Sequence, residues 1–356
     1  MKRLHFLVNW GKSKETAWSG TYFSLYKALQ RHYDVNDVDL SIFWSMDFLL
    51  RKVFRLRGVA MEYWRGRFLR RKYCRLKGTV FQFCEILADR KDRNTYMYVD
   101  LTVGYVNFMR QNLKSDYFYS GFQNSDPKIL QRRGEEQTRY MNSCSGIFTM
   151  GNWLREWLVK QGVPKNKIYA VGGGTNVDIS LIAPKTKSHN KILFVGKDFK
   201  RKGGPVMYEA FKWLRNHRHE VELYIIGPSS NPYPDAVEGY HFIGQIPFSE
   251  EANYFNMCDL FCMPSYFEAY GLVFVEALTF GLPCIGRDCY EMPYFIEEGK
   301  TGLLLRNDDP VELAHLMLRV LQDPSFAENV VQNRAKYIHK YSWDTVADRI
   351  AKAIGQ

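Results

Sequence analysis

Lys191-Ile-Leu-Phe-Val-Gly196-Lys-Asp-Phe-Lys-Arg-Lys-Gly-Gly204-Pro205 is the stretch that decides the fold. A short apolar run stops at a glycine, passes through a basic loop and enters a helix near Pro205. This is a strand, a loop and a helix in succession, the repeating unit of a parallel α/β sheet. The alternation continues towards the carboxyl end, with strands expected at Val221–Ile226, His241–Ile243, Leu260–Met263, Pro283–Gly286 and Gly302–Leu305. Helices are expected at Pro205–Asn216, Ser249–Met257, Gly271–Phe280, Pro310–Gln322 and Pro324–Lys340. Towards the amino end the strand candidates are Leu4–Asn9, Val35–Leu40, Val80–Glu85, Tyr96–Asp100, Gly146–Thr149 and Ile168–Val171.

The polar stretch Pro184–Asn190 has no apolar period, and a linker is placed at about 180–190. The reading is therefore two doubly wound, Rossmann-like domains, residues 1–182 and 183–356, with a cleft between them. In such sheets ligands lie beyond the carboxyl ends of the strands, where strand order reverses. Function should be sought in the loops that follow strands.

Composition narrows the class. Hydrophobic residues are 46% and charged residues 24% of the 356, which excludes a disordered, collagen-like or disulfide-scaffold chain. No run of 18 uncharged apolar residues suggests a transmembrane helix. The opening Met1–Trp10 is basic, but its apolar run breaks after four residues, so it reads as a strand and not as a signal peptide. The seven cysteines make no Cys-x-x-Cys pair and no zinc-like spacing, which reads as reduced thiols in a cytoplasm. The net charge of +11 is uneven. Residues 1–180 carry 30 basic against 16 acidic residues, and the remainder 19 against 22. The two halves are expected to face different partners.

Three loops carry candidate chemistry. Trp10–Thr21, containing Gly11 and Ser19-Gly20-Thr21, leads into a helical run and offers backbone N–H groups to an anion or a sugar hydroxyl; a plain strand-to-helix turn is the alternative. Gly196–Gly204 holds Lys197, Lys200, Arg201 and Lys202 at a helix start and suits a diphosphate, with a solvated basic turn as the alternative. The third loop runs from Pro264 to Pro283. Glu268 stands before a helix that begins near Gly271, and Glu276 lies eight residues on, inside it. A glycine at that helix start lets phosphate reach the N–H groups of Leu272 and Val273.

These residues resemble the family 4 type of retaining glycosyltransferases, which have the GT-B fold. The resemblance rests on Glu268 and Glu276, Lys202-Gly203, Gly281-Leu-Pro283, Glu298-Gly299-Lys-Thr-Gly302 and Asp309-Pro-Val-Glu-Leu-Ala314. It implies that Glu268 holds hydroxyls of a donor sugar and Glu276 a ribose. Lys202, with Lys197 or Arg201, would bind the diphosphate, and Gly271, Leu272 and Val273 would contact phosphate through the backbone. Gly196 and Gly20 join the donor-binding set. In the first half, Val171–Asp178 is similar to the family's Asn-Gly-Val-Asp segment with its Asn displaced, and Tyr341-Ser-Trp343-Asp344 with the last helix is similar to the segment that crosses back onto the first domain.

The chain departs from the family in two places. Where many members have a histidine near the reacting carbon, Tyr98-Val-Asp100-Leu-Thr102 stands here, which makes Asp100 the candidate for steering the acceptor. Where the family has Pro-Glu before Ile-x-x-Gly, this chain reads Pro293-Tyr294-Phe295-Ile296, with Glu291 upstream.

The implied reaction moves a sugar from a nucleotide-diphosphate donor to a hydroxyl of a lipid-linked or glycan acceptor, with Lys202, Glu268 and Asp100 as the catalytic set. A sugar-nucleotide epimerase of GT-B fold is one alternative, and a basic nucleic-acid-binding protein is one of another class. No cofactor and no metal is expected, because protein cations face the leaving group; Asp37-Val-Asp39 matches a metal signature only formally, inside a strand. Arg51–Lys77 holds eleven basic residues and one acid, interleaved with Phe54, Tyr63, Trp64, Phe68 and Tyr73, and follows the apolar run Ile42–Leu50. Residues 42–77 thus suit anionic lipid headgroups, which would make the protein cytoplasmic and peripheral on the inner face of a membrane.

Overall fold

Among the described residues the chain forms twelve strands in two six-stranded sheets, every pairing between these strands parallel. The computed structural model describes residues 1–11, 13–42, 48–53, 58–83, 85–184, 190–217 and 219–355. Residues 43–47 of the apolar run, Phe54, Arg55 and Arg57 of the basic segment, and 185–189 of the expected linker lie outside the described residues. The chain divides into two compact units, Met1–Gly173 with Trp343–Gln356, and Gly174–Ser342. Residues 174–182, expected with the first domain, count with the second unit, where the Thr175 N–H donates to the Tyr341 carbonyl at 2.9 Å.

In the first unit the strands are β1 (Arg3–Val8), β2 (Asp34–Asp39), β3 (Gly78–Gln82), β4 (Arg93–Val99), β5 (Gly146–Thr149) and β6 (Ile168–Ala170), in the order β2-β1-β3-β4-β5-β6. β1 lies inside the sheet, covered on both faces, so Leu4, Phe6, Leu7 and Val8 form a nearly continuous apolar run. β2 lies at the edge and can keep Asp34, Asn36 and Asp37 polar. β3 was expected to reach Glu85 but ends at Gln82, whose side chain accepts from the N–H groups of Ile86 and Leu87 and donates to the Leu87 carbonyl at 2.8 Å. Those bonds fold the chain away from the sheet. The last helix, Trp343–Gly355, buries Val346, Ala347 and Ile350 and packs on helix Thr21–Leu29, with Arg31–Asp344 and His32–Asp348 ion pairs at 2.7 Å.

In the second unit β7 (Lys191–Val195), β8 (Glu222–Ile226), β9 (Tyr240–Gly244), β10 (Leu260–Cys262), β11 (Cys284–Arg287) and β12 (Gly302–Leu305) take the order β12-β11-β10-β7-β8-β9. The order reverses between β7 and β10, so the loops after these two strands converge beyond their carboxyl ends. Helix Gly204–Asn216 follows β7, and helix Leu272–Phe280 follows the β10 loop. The latter reads Leu-Val-Phe-Val-Glu-Ala-Leu-Thr-Phe, apolar all round, and a helix of that kind belongs inside the domain. The continuous helix expected at Pro324–Lys340 is instead two, Ser325–Gln332 and Arg334–Lys340. Asn333 separates them, because its amide donates to the Asn329 carbonyl at 2.8 Å in competition with the backbone ladder.

Candidate active site

The β7 loop is held tightly against the β10 loop. Gly203 has φ +77 and caps helix Gly204–Asn216; a Cβ at this position would collide with the Pro264 carbonyl. Gly196 is constrained by a side chain and not by backbone, since a Cβ there would overlap the stem of Lys202. These two glycines let Lys202 cross under the loop and reach the β10 side. There its Nζ donates to Glu268 Oε2 at 2.7 Å and lies 3.5 Å from Met263 Sδ. Arg201 donates from Nη1 to the Phe267 carbonyl at 2.6 Å, and the same nitrogen lies 3.5 Å from Glu268 Oε2. The Tyr266 N–H closes the contact by donating to the Arg201 carbonyl at 2.9 Å.

Glu268 is 9% exposed. Burial alone would push its carboxyl up, but Lys202 and Arg201 outweigh burial and hold it below the usual carboxylate range. Glu268 is therefore ionised. Gly271, three residues on, has φ +99 and caps helix Leu272–Phe280. The first helical residues, Leu272 and Val273, have N–H groups with no partner inside the helix, and the helix dipole adds partial positive charge beside Lys202 and Arg201. Lys197 is exposed at the rim of the same loop.

Glu276 differs from Glu268 in its surroundings. It is 3% exposed, and its Oε1 accepts the Asn176 N–H at 3.1 Å. Burial raises its pKa to about 8, and the Glu251 carboxylate adds to the rise; the N–H groups of Asn176 and Val177 and the Lys202 charge counter it only in part. Glu251, on helix Phe248–Met257, is buried as well and is pushed up to about 7 by burial, opposed by Lys197. Sequence reading missed Glu251 because an acid in a first helical turn is ordinarily a solvated one. Arg287, at the end of β11, was missed too. It lies over the Tyr266 ring at 4.4 Å and donates to the Pro264 carbonyl at 3.4 Å. An arginine that ends a buried apolar strand was the available signal.

Gly20 and Asp100 belong to the first unit. Gly20 has φ +84 and caps helix Thr21–Leu29, and the two residues before it, Trp18 and Ser19, also have positive φ, +46 and +55. Positive φ in non-glycine residues stores strain of the kind found at binding sites. Trp18 packs on Tyr22, Phe83 and Tyr98 with ring centroids 5.0, 6.0 and 6.3 Å apart. These four rings and Asp100 line a cavity of about 320 Å³, together with Glu62 and the buried Glu85, Arg133 and Gln137. Glu85 pairs with Arg133 and accepts from the Gln137 amide. Asp37 accepts from Trp10 Nε1 at 2.8 Å and pairs with Lys14, and Asp39 accepts from the Ser41 hydroxyl at 2.8 Å, so both acids of the Asp-x-Asp stretch serve local packing.

Residues 179–337 match the family described as Glycosyl transferases group 1. A phosphatidyl-myo-inositol mannosyltransferase of Mycobacterium leprae (strain TN) is 27% identical over 193 residues, 51% of this chain and 52% of that protein. The chain spans about half the length of the curated relatives it matches. Among solved structures, WaaG, a glycosyltransferase involved in lipopolysaccharide biosynthesis, is 14% identical and superimposes with a TM-score of 0.71 over 99% of each chain. Anabaena HepE, solved with UDP-glucose, is 14% identical with a TM-score of 0.65 over 100% of each chain. Residues 179–337 of this chain thus carry a group 1 glycosyl transferase domain of the family 4 type, within a GT-B fold that extends over the whole chain.

Proposed function

We propose that this protein transfers a sugar from a nucleotide-diphosphate donor to a hydroxyl of a glycan or lipid-linked acceptor, with retention at the anomeric carbon. The observation that carries the proposal is the grouping of Lys202, Arg201 and the start of helix Leu272–Phe280 where strand order reverses. Two cations share one carboxylate oxygen, which leaves positive charge for a diphosphate. The M. leprae relative is by name a mannosyltransferase and HepE binds UDP-glucose, which supports the same reading.

In this mechanism the acceptor oxygen forms a bond to the anomeric carbon as the bond to the diphosphate oxygen breaks. The acceptor proton passes to that leaving oxygen on the same face. Lys202, Arg201 and the N–H groups of Leu272 and Val273 stabilise the charge that develops there, so the reading calls for no metal. Glu268 is committed to Lys202 and Arg201, which makes it a poor nucleophile and suits it to accepting sugar hydroxyls. Glu276 takes the ribose. Asp100 lines the cavity of the first unit and receives the acceptor hydroxyl.

A membrane surface is the proposed setting. Helix Gly58–Tyr73 exposes Trp64 and Phe68 beside Arg67 and Arg71, a mixture suited to an anionic headgroup layer. No helix among the described residues is long and apolar enough to cross a membrane. The nucleic-acid reading explains neither Glu268 nor Glu276, and an epimerase needs no acceptor. The deciding experiment incubates the protein with UDP-, GDP-, ADP- and dTDP-sugars and follows nucleotide release with and without a lipid or glycan acceptor. Acceptor-dependent release supports transfer. Equal release or isomerised donor without acceptor overturns it.

A further inference from the structure

The first unit holds a second cavity of about 340 Å³ that the proposed transfer does not use. It shares Thr102 and Gln137 with the Asp100 cavity and lies among helices Val103–Asn112, Pro127–Ser143 and Asn152–Lys160. The two linings differ in one respect. The first includes Glu62, Glu85, Asp100 and Arg133, whereas none of the described residues lining the second has a charged side chain. This is unexpected in a half of the chain with 30 basic and 16 acidic residues among its first 180. Its polar side chains are instead the hydroxyls of Thr102 and Thr138, an indole at Trp157, and amides, Asn107, Gln137 and Gln161 among them.

Two atoms of those groups have no hydrogen-bond partner among the described residues. Asn107 Oδ1 and Trp157 Nε1 are buried atoms without a hydrogen bond, one an acceptor and the other a donor. Asn107 is firmly held, since its Nδ2 donates to the Leu130 carbonyl at 2.8 Å, and a Cβ at Gly134 would come within 2.8 Å of that nitrogen. A glycine within helix Pro127–Ser143 weakens the helix relative to alanine, yet it makes the room that Asn107 occupies. Gln111, Asn142 and Gln161 are exposed and give the cavity a polar rim open to solvent.

We propose that this cavity binds a neutral saccharide. A charged ligand finds no counter-ion here, and an apolar one would leave Asn107 and Trp157 unsatisfied at a cost. A sugar hydroxyl can donate to Asn107 Oδ1 while its neighbour accepts from Trp157 Nε1, and amides at the rim serve further hydroxyls in either sense. The volume is at the low end of ligand sites and suits one or two sugar rings. The proposal goes beyond the donor chemistry above and does not depend on it.

The test uses the full chain with maltose, cellobiose and chitobiose, followed by isothermal titration and by ligand-observed NMR. At least one should bind saturably in the millimolar range, and Trp157→Phe and Gln161→Ala should each weaken it about five-fold, the loss of one hydrogen bond. Gln161 is exposed, so that variant should keep the wild-type melting temperature. Glu276→Ala should leave this binding unchanged. The proposal falls if none of the three saturates by about 20 mM. It falls equally if both cavity variants bind like wild type, or if Glu276→Ala abolishes binding, which would move the sugar to the second unit. Failure here would leave nucleotide release from sugar nucleotides untouched, so the two readings can fail separately.

Discussion

Lys202 Nζ donates to Glu268 Oε2 at 2.7 Å, and Arg201 Nη1 stands 3.5 Å from the same oxygen. One carboxylate thus ties the loop after β7 to the loop after β10 and leaves an excess of positive charge at the start of helix Leu272–Phe280. If that charge stabilises a leaving diphosphate, Lys202→Ala should lower turnover by about 10²–10³, the usual loss for a preorganised donor to a developing anion. Donor KM should change less than kcat, because the interaction is strongest in the transition state. Steady-state kinetics check this, and wild-type turnover would remove Lys202 from the catalytic set.

Glu276 makes stability depend on pH. Its carboxyl is raised to about 8 and that of Glu251 to about 7, so the folded chain holds protons that the unfolded chain has released. Stability should therefore fall as pH rises from the ordinary carboxylate range to about 8. Glu276→Gln keeps the acceptor for the Asn176 N–H but removes the titration, and should flatten that fall. Melting temperatures at pH 5.5 and pH 8, with ~2.5 units between them to span the titration, compare the two proteins. Parallel curves would contradict the assignment.

Gly203 is a backbone requirement. With φ +77 and the Pro264 carbonyl in the way of any Cβ, Gly203→Ala should destabilise the second unit by at least about 1 kcal/mol. Gly299 also has positive φ, +79, but nothing lies within 4 Å of its would-be Cβ. Gly299→Ala should cost less. Thermal melts of the two variants test the order.

Asp100 and the donor residues should separate in their effects. Asp100→Asn should leave thermal stabilisation by a sugar nucleotide intact while transfer falls by about 10²-fold, as for a group that positions the acceptor hydroxyl. Glu276→Ala should weaken the stabilisation itself. Loss of donor stabilisation in Asp100→Asn would place that residue in a different role.

The cations of the basic helix fall into two kinds. Arg70 lies over the Tyr140 ring at 4.9 Å and serves the fold, whereas Trp64, Arg67, Phe68 and Arg71 are exposed. Replacing those four by Ser should abolish sedimentation with anionic vesicles at low salt and leave nucleotide-sugar stabilisation unchanged, each cation near the surface contributing about 1 kcal/mol. Unchanged sedimentation would end the membrane proposal.

Strands were largely legible, because a buried parallel strand is a short apolar run closed by a glycine or a polar turn, and Gly146–Thr149 and Gly302–Leu305 stand where they were read. Errors arose where a side chain competes with the backbone ladder. Gln82 ends β3 early by bonding Ile86 and Leu87, and Asn333 splits the helix read at Pro324–Lys340. Neither choice is visible in periodicity, because both residues are compatible with the run they interrupt.

By itself the chain's sequence determined the alternation of strands and helices, the loops in which chemistry is concentrated, and the place of Glu276 inside a helix that opens near Gly271. These are local properties, set by side-chain period and by turn residues. Tertiary structure alone decided what those loops meet. Lys202 and Glu268 are 66 positions apart, and Asn176 and Glu276 are 100 apart. Lys202 and Glu268 meet because β10 lies beside β7 in the sheet, an order that no local pattern encodes. That order also puts Glu268 against two cations and Glu276 against Glu251, and so separates the pKa values of two glutamates only eight residues apart.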